Sequence, residues 1–195
     1  MAPMSTTSAP RYKVDQRIVY PSQGVGRITE ICERSFKGVP TLYYIIYLEF
    51  PDMTVMVQSD KADEHGIRPI VPRAEAEHAL CFIAEEYAPI PTDWKLRYQM
   101  NLDLLKKGSV MDIASVVRSL YHRSKVKELP ILERKLYDSA LNLLQDEISF
   151  ALESPKDEIA ELIRSKLEIK AATVPLLADD LEDLIEDEIE EEIED

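Results

Sequence analysis

The hydrophobic repeat of this chain changes period near Pro72, and that change limits the fold to two kinds of structure in series. Between Tyr12 and about Ile70, short apolar runs are separated by turn residues. Successive strand side chains point to opposite faces, so such runs read as half-buried strands. "QRIVYPS" alternates and then meets the turn chemistry of Pro21 to Gly26. "VGRITEICERSF" alternates again; Ile28 and Cys32 do not share parity with every apolar neighbour, yet Ile31 and the β-branched content favour a strand. Gly38 predicts a turn within "FKGV", and "TLYYIIYLEF" suits a central strand. "PDM" turns the chain before the short strand "TVMVQ". Four or five short strands with tight connections predict a small curled barrel or sheet.

After Pro72 the apolar residues recur at three and four. Helices are expected over 73–87, 94–107, about 112–124, 132–153 and about 156–171. Pro89 and Pro91 break the chain before the second, which Asp93 is placed to cap and Gly108 to end. Ser109 or Asp112 caps the third. Ser154 is expected to cap the fifth, with Pro155 at its first helical position. The expected architecture is α+β in two domains: residues 11–71 as the β domain and 72–171 as an all-α helical bundle. Residues 1–10 and 172–195 are expected to be disordered flanks.

Charge is unevenly placed. The chain of 195 residues carries a net −14, but residues 94–135 hold ten Lys/Arg against four Asp/Glu, a local +6. Residues 176–195 hold twelve acids and no base. Because fields are screened over roughly 8 Å at physiological salt, a local basic face can meet phosphate despite an acidic total. No apolar run approaches the roughly 20 residues that span a bilayer, and the N-terminus lacks a signal pattern, so a cytoplasmic protein is expected. Cys32 and Cys81 are too few for a disulfide framework and match no zinc spacing.

Signatures of catalysis are missing from the sequence. Gly24 and Gly26 form a GxG without the third glycine or a following helix, which turn geometry explains better than phosphate binding. No G-x-S-x-G occurs, and His65, His78 and His122 have no carboxylate or cysteine at metal-ligand spacing. The tail carboxylates lack the spaced-oxygen loop of a calcium site. No catalytic residue, cofactor or metal is expected; the chain offers chemistry for binding.

Trp94, the only tryptophan, follows the proline-bounded linker at a helix start, with Lys95 and Arg97 beside it and Arg118, His122, Arg123, Lys125 and Lys127 farther on. A tryptophan there is more often a core anchor, and a basic run more often a solvated face. The pairing also suits a DNA fork: cations neutralise phosphate, and an indole stacks on or wedges beside an unpaired base.

A family resemblance tips that balance. "VYPSQGVGRI" resembles the V-Y-P-x-x-G opening of CarD/CdnL transcription regulators, and "PTDWKLRYQMNLDLLKKGSVMDIASVVRSLYHRS" resembles their C-terminal signature, followed by "ERKLYDSALNLLQDEISFAL". The resemblance covers roughly residues 12–165. It implies a Tudor-like β domain, shared with transcription-repair coupling factors, that binds the RNA polymerase β subunit by extending a sheet. It also implies a helical domain whose tryptophan enters the minor groove of promoter DNA at the upstream edge of the transcription bubble, stabilising the open complex. Carried onto this sequence, Trp94 is the wedge, Arg97 helps hold DNA, and Lys95, Arg118, Arg123 and Lys125 are further DNA contacts. Arg34, Phe36 and Met56 fall at polymerase-contact positions. Met56 stands where relatives often carry arginine, and Leu96 and Gln99 where some are basic, which implies weaker contacts here. The implied protein is a non-enzymatic monomer associated with the nucleoid through RNA polymerase. The competing readings are a polymerase adaptor that recruits another protein through its helices or acidic tail, and a repair-type enzyme, which would need an ATPase loop the sequence lacks.

Overall fold

A computed structural model describes residues 10–21, 23–49, 52–85, 91 and 93–171, with no side-chain description for 169–171. The chain divides between Val71 and Pro72 into two compact units. The first is an antiparallel sheet of β1 (Arg17–Tyr20), β2 (Gly24–Phe36), β3 (Val39–Leu48), β4 (Met53–Gln58) and β5 (Arg68–Pro69), in the order β4-β3-β2-β1-β5. The second contains α1 (Arg73–Phe82), α2 (Trp94–Lys107), α3 (Val110–Val126), α4 (Ile131–Leu152) and α5 (Lys156–Ala171). The α+β class expected from the change of period is the class observed. The expectations for residues 1–9 and 172–195 lie outside the described residues.

The sheet closes through turns that its sequence dictates. Lys37 and Gly38, with φ of 52° and 81°, make a two-residue hairpin loop between the paired residues Phe36 and Val39. Two positive φ values match the right-handed twist of the flanking strands, and glycine takes the second without strain. The parity break in β2 is a β-bulge: Ile28 pairs with Ile46 and Glu30 with Ile45, leaving Thr29 as the extra residue. The bulge turns Ile28 and Ile31, three apart, toward one face. The core there is Tyr12, Ile18, Ile28, Tyr44, Ile46, Leu48, Val57, Ala62 and Ile67. Its two tyrosines are satisfied, as buried polar groups must be. The Tyr44 hydroxyl accepts from the backbone N–H of Arg11 (2.8 Å) and Tyr12 (3.3 Å), and the Tyr12 hydroxyl donates to the Ile67 carbonyl at 2.8 Å. These bonds pin the segment that leads into the sheet.

In the helical unit, α3 is the central element and packs against α1, α2, α4 and α5. Ten of its seventeen residues are buried, including Ile113, Val116, Val117 and Leu120. Local signals set most ends. The Asp93 carboxylate accepts from the Lys95 N–H at 2.8 Å and caps α2, while Gly108 ends it in the left-handed region at φ 73°. The Ser109 hydroxyl accepts from the Asp112 N–H at 3.0 Å, so α3 begins at Val110, two residues before the expected start.

Two further helix termini differ from expectation, one in position and one in its cap. Helix α1 stops at Phe82 rather than residue 87, because its final bonds tighten to Ala84 N–H to Cys81 O and Glu85 N–H to Phe82 O. Arg118 donates to the same Phe82 carbonyl at 3.0 Å, a cation fixing the helix C-terminus from a distant helix. At α5, Pro155 precedes the first helical residue and its carbonyl accepts from Ile159. Ser154 is not the cap: its hydroxyl donates to Leu152 O at 3.4 Å.

Candidate nucleic-acid interface

Trp94 opens α2 on the same helical stripe as the buried residues Arg97, Asn101 and Leu105. Those three face the bundle, but at the first turn Trp94 overhangs it and remains 40% exposed. Trp94 is therefore exposed, not in the buried environment of a core anchor. Lys95, exposed, holds its ammonium 5.9 Å from the indole centroid.

Arg97 holds this helix start in place. It is 2% exposed, and its guanidinium forms a two-pronged pair with Glu133 of α4: Nε to Oε1 at 2.8 Å and Nη2 to Oε2 at 2.9 Å. Its Nη1 donates to the Pro91 carbonyl at 2.7 Å. One side chain thus fixes the segment before α2, α2 itself and α4. Arg97, expected to help hold DNA, has its fork engaged inside the protein, where it positions the helix that carries Trp94. Glu133 went unrecognised in the sequence, since it lies 36 residues away and carries no local motif.

Beside the indole is a cleft of about 380 Å³ lined by Asp93, Trp94, Arg97, Arg123, Lys127, Glu128 and Pro130. It brings Arg123 of α3, 8% exposed, to the tryptophan that sequence places 29 residues earlier. Both acids that line the cleft are engaged, Asp93 with the Lys95 N–H and Glu128 with Arg134 at 2.5 Å. The turn between α3 and α4 delivers Glu128 and Pro130, which no sequence signal marks, together with Lys127, one of the cations the sequence places after Trp94.

The remaining cations are dispersed. Arg118 is 9% exposed, stacks 3.8 Å above the Phe82 ring and donates to the Phe82 carbonyl. Burial and a carbonyl partner turn the guanidinium of this expected DNA contact inward; burial also lowers its pKa, with Glu85 opposing. Lys125 is exposed, with its ammonium 4.8 Å from the Tyr121 centroid. His122 is buried, and desolvation, with the Arg118 charge adding to it, holds its imidazole below the usual histidine range. Among the described residues no group of three or more His, Cys, Asp and Glu could hold a metal, and no helix is long and apolar enough to cross a membrane.

On the β unit, register places Arg34, Phe36 and Met56 on one face, the one opposite the core. Phe36 pairs with Val39, Arg34 with Thr41 and Met56 with Ile45, all odd-numbered β3 positions, whereas the core uses Tyr44, Ile46 and Leu48. Phe36, Val39 and Met56 are each about half exposed, and Lys37 holds its ammonium 5.4 Å from the Phe36 centroid. Among the described residues, strand β4 is one edge of the sheet, with β3 as its only neighbour.

Comparison with known proteins matches each unit to a family model. Residues 12–71 match the CarD-like/TRCF RID domain and residues 78–164 the CarD C-terminal domain. The chain is also 32% identical over 137 residues to a Bacillus subtilis (strain 168) protein named "Putative transcription factor YdeB", covering 70% of this chain and 90% of that one. The chain belongs to the CarD family. Membership makes it a transcription regulator, and its β unit is the Tudor-like domain that the "VYPSQGVGRI" opening implies.

Proposed function

We propose that this CarD-family protein docks its β unit on the RNA polymerase β subunit and uses Trp94 to steady melted promoter DNA at the upstream edge of the bubble. The observation that carries the reading is the lone tryptophan standing 40% exposed at the cation-flanked start of a helix whose next turn is clamped by a buried ion pair. A rigidly held ring gives up little entropy when it meets a base. The DNA contacts narrow to Trp94 as wedge, Lys95 beside it, Arg123 and Lys127 at the cleft and Lys125 as an outlying cation, with Arg97 as the positioning residue.

On the polymerase side, the open β4 edge can accept a partner strand; Met56 on β4, with Arg34 and Phe36 on the same face of β2 two strands in, supplies side-chain contacts. Tethering raises the local concentration of the helical unit at the promoter, so weak DNA affinity suffices. A ring that binds the separated fork better than closed duplex shifts the equilibrium by that difference alone. Phosphate and stacking contacts carry little base information, so sequence preference is low.

The test is Trp94→Ala in an open-complex lifetime assay with purified polymerase. Stacking contributes about 1–3 kcal/mol per base, so the lifetime should fall about tenfold while polymerase binding is retained. A folded, polymerase-bound variant with an unchanged lifetime would rule out the wedge.

A further inference from the structure

The cleft beside Trp94 has a second possible occupant within the same chain. Residues 176–195 combine twelve acids with Leu181, Leu184, Ile185, Ile189 and Ile193 at spacings of three or four, and no base. The cleft presents the complementary surface: an indole and Pro130 as apolar walls, with Lys95, Arg123 and Lys127 around them. Its own carboxylates do not repel an incoming anion at full strength, since Asp93 caps α2 and Glu128 pairs with Arg134.

We infer that the acidic tail docks in the Trp94 cleft, seating an aliphatic side chain against the indole and its acids toward the cations, so that nucleic acid must displace it. Length permits this. Twenty-four residues follow Ala171, and an extended chain of that length spans roughly 80 Å. The radius of gyration of a 100-residue domain is only about 13 Å. Attachment sets an effective concentration on the order of millimolar, so a weak contact is populated. Docking needs only the cleft and the tail; the competition with DNA rests on the function proposed above.

Trp94 is the sole tryptophan, which makes its emission a direct reporter. Acrylamide quenching is to be compared, at low salt, between the full chain, a chain ending at Thr173, and a full-length chain with the twelve tail acids changed to Asn or Gln. The full chain should quench about twofold less than the other two, and the difference should vanish near 1 M salt, where the screening length shrinks to roughly 3 Å. A synthetic peptide of residues 174–195 added to the shortened chain should restore protection.

Equal quenching of the full and shortened chains at low salt would overturn the proposal. Protection that survives neutralisation of the acids would overturn its electrostatic basis. Protection that rises with protein concentration would replace it with docking of a second copy's tail. A parallel titration with fork-junction DNA separates the two claims: tail-dependent quenching without DNA binding sinks the DNA reading and leaves the docking standing.

Discussion

Removing Glu133 tests whether the buried ion pair is what fixes the tryptophan-bearing helix. Arg97 and Glu133 are 2% and 0% exposed and share two bonds of 2.8 and 2.9 Å. In Glu133→Ala the guanidinium keeps its bond to Pro91 O but loses the carboxylate that balances its charge. Breaking such a pair from one side costs about 3–5 kcal/mol, because a buried charge is left uncompensated. The retained Pro91 bond places the expected loss near the lower end, about 3 kcal/mol. With about 4–8 °C per kcal/mol for a domain of this size, the melting temperature of the helical unit should fall by roughly 12–24 °C. Circular dichroism at 222 nm, dominated by the helices, reads this directly.

The double variant Arg97→Met with Glu133→Leu should recover all but about 1 kcal/mol, since a buried pair replaced by apolar groups of similar volume is often neutral. Stability would return without the fixing bond to Pro91, so open-complex lifetime should remain low in the double variant. A loss below about 1 kcal/mol in Glu133→Ala would refute the claim that this pair bears on the helix start. Full recovery of lifetime in the double variant would refute the positional role of Arg97.

Two further outcomes follow from the geometry. His122 is held below its usual 6.5 by burial and the Arg118 charge, so the unfolded chain takes up a proton before the folded one does. Its contribution is therefore complete above the unfolded value and is lost as pH falls below about 6.5 through the folded value. Chemical denaturation of the helical unit between pH 7.5 and 5 should show this loss, and His122→Phe should flatten that part of the profile. In the β unit, a Cβ at Gly26 would stand 2.8 Å from Leu48 Cδ2 and 2.9 Å from both Ile46 Cγ2 and the Tyr47 carbonyl oxygen. Gly26→Ala should cost about 1–3 kcal/mol by overpacking, read as an earlier thermal transition of the sheet; an unchanged transition would show that β3 yields more readily than a packed strand should.

Much of this protein was legible because the deciding forces were local. The change of period near Pro72 separates strand from helix, since the two backbones present side chains at different repeats. Gly38, Asp93 and Gly108 mark ends that only a permissive backbone or a short acceptor side chain can make. The broken parity of β2 was visible as well, but only pairing with β3 shows Thr29 as the inserted residue.

What sequence could not assign was the use of each cation. Counting charge along residues 94–135 treats Arg97, Arg118 and Lys95 alike, yet packing buries the first against Glu133, folds the second over Phe82 and leaves the third beside the indole. A guanidinium's role depends on what stands within 3 Å of it, and for Arg97 and Arg118 that partner lies 36 residues away along the chain. The sequence by itself settled the two modules, the position of the aromatic at a helix start and the local excess of positive charge. Tertiary packing alone decided which positive groups are neutralised inside and which accompany Trp94 at the surface, because desolvation and pairing depend on contacts made across helices.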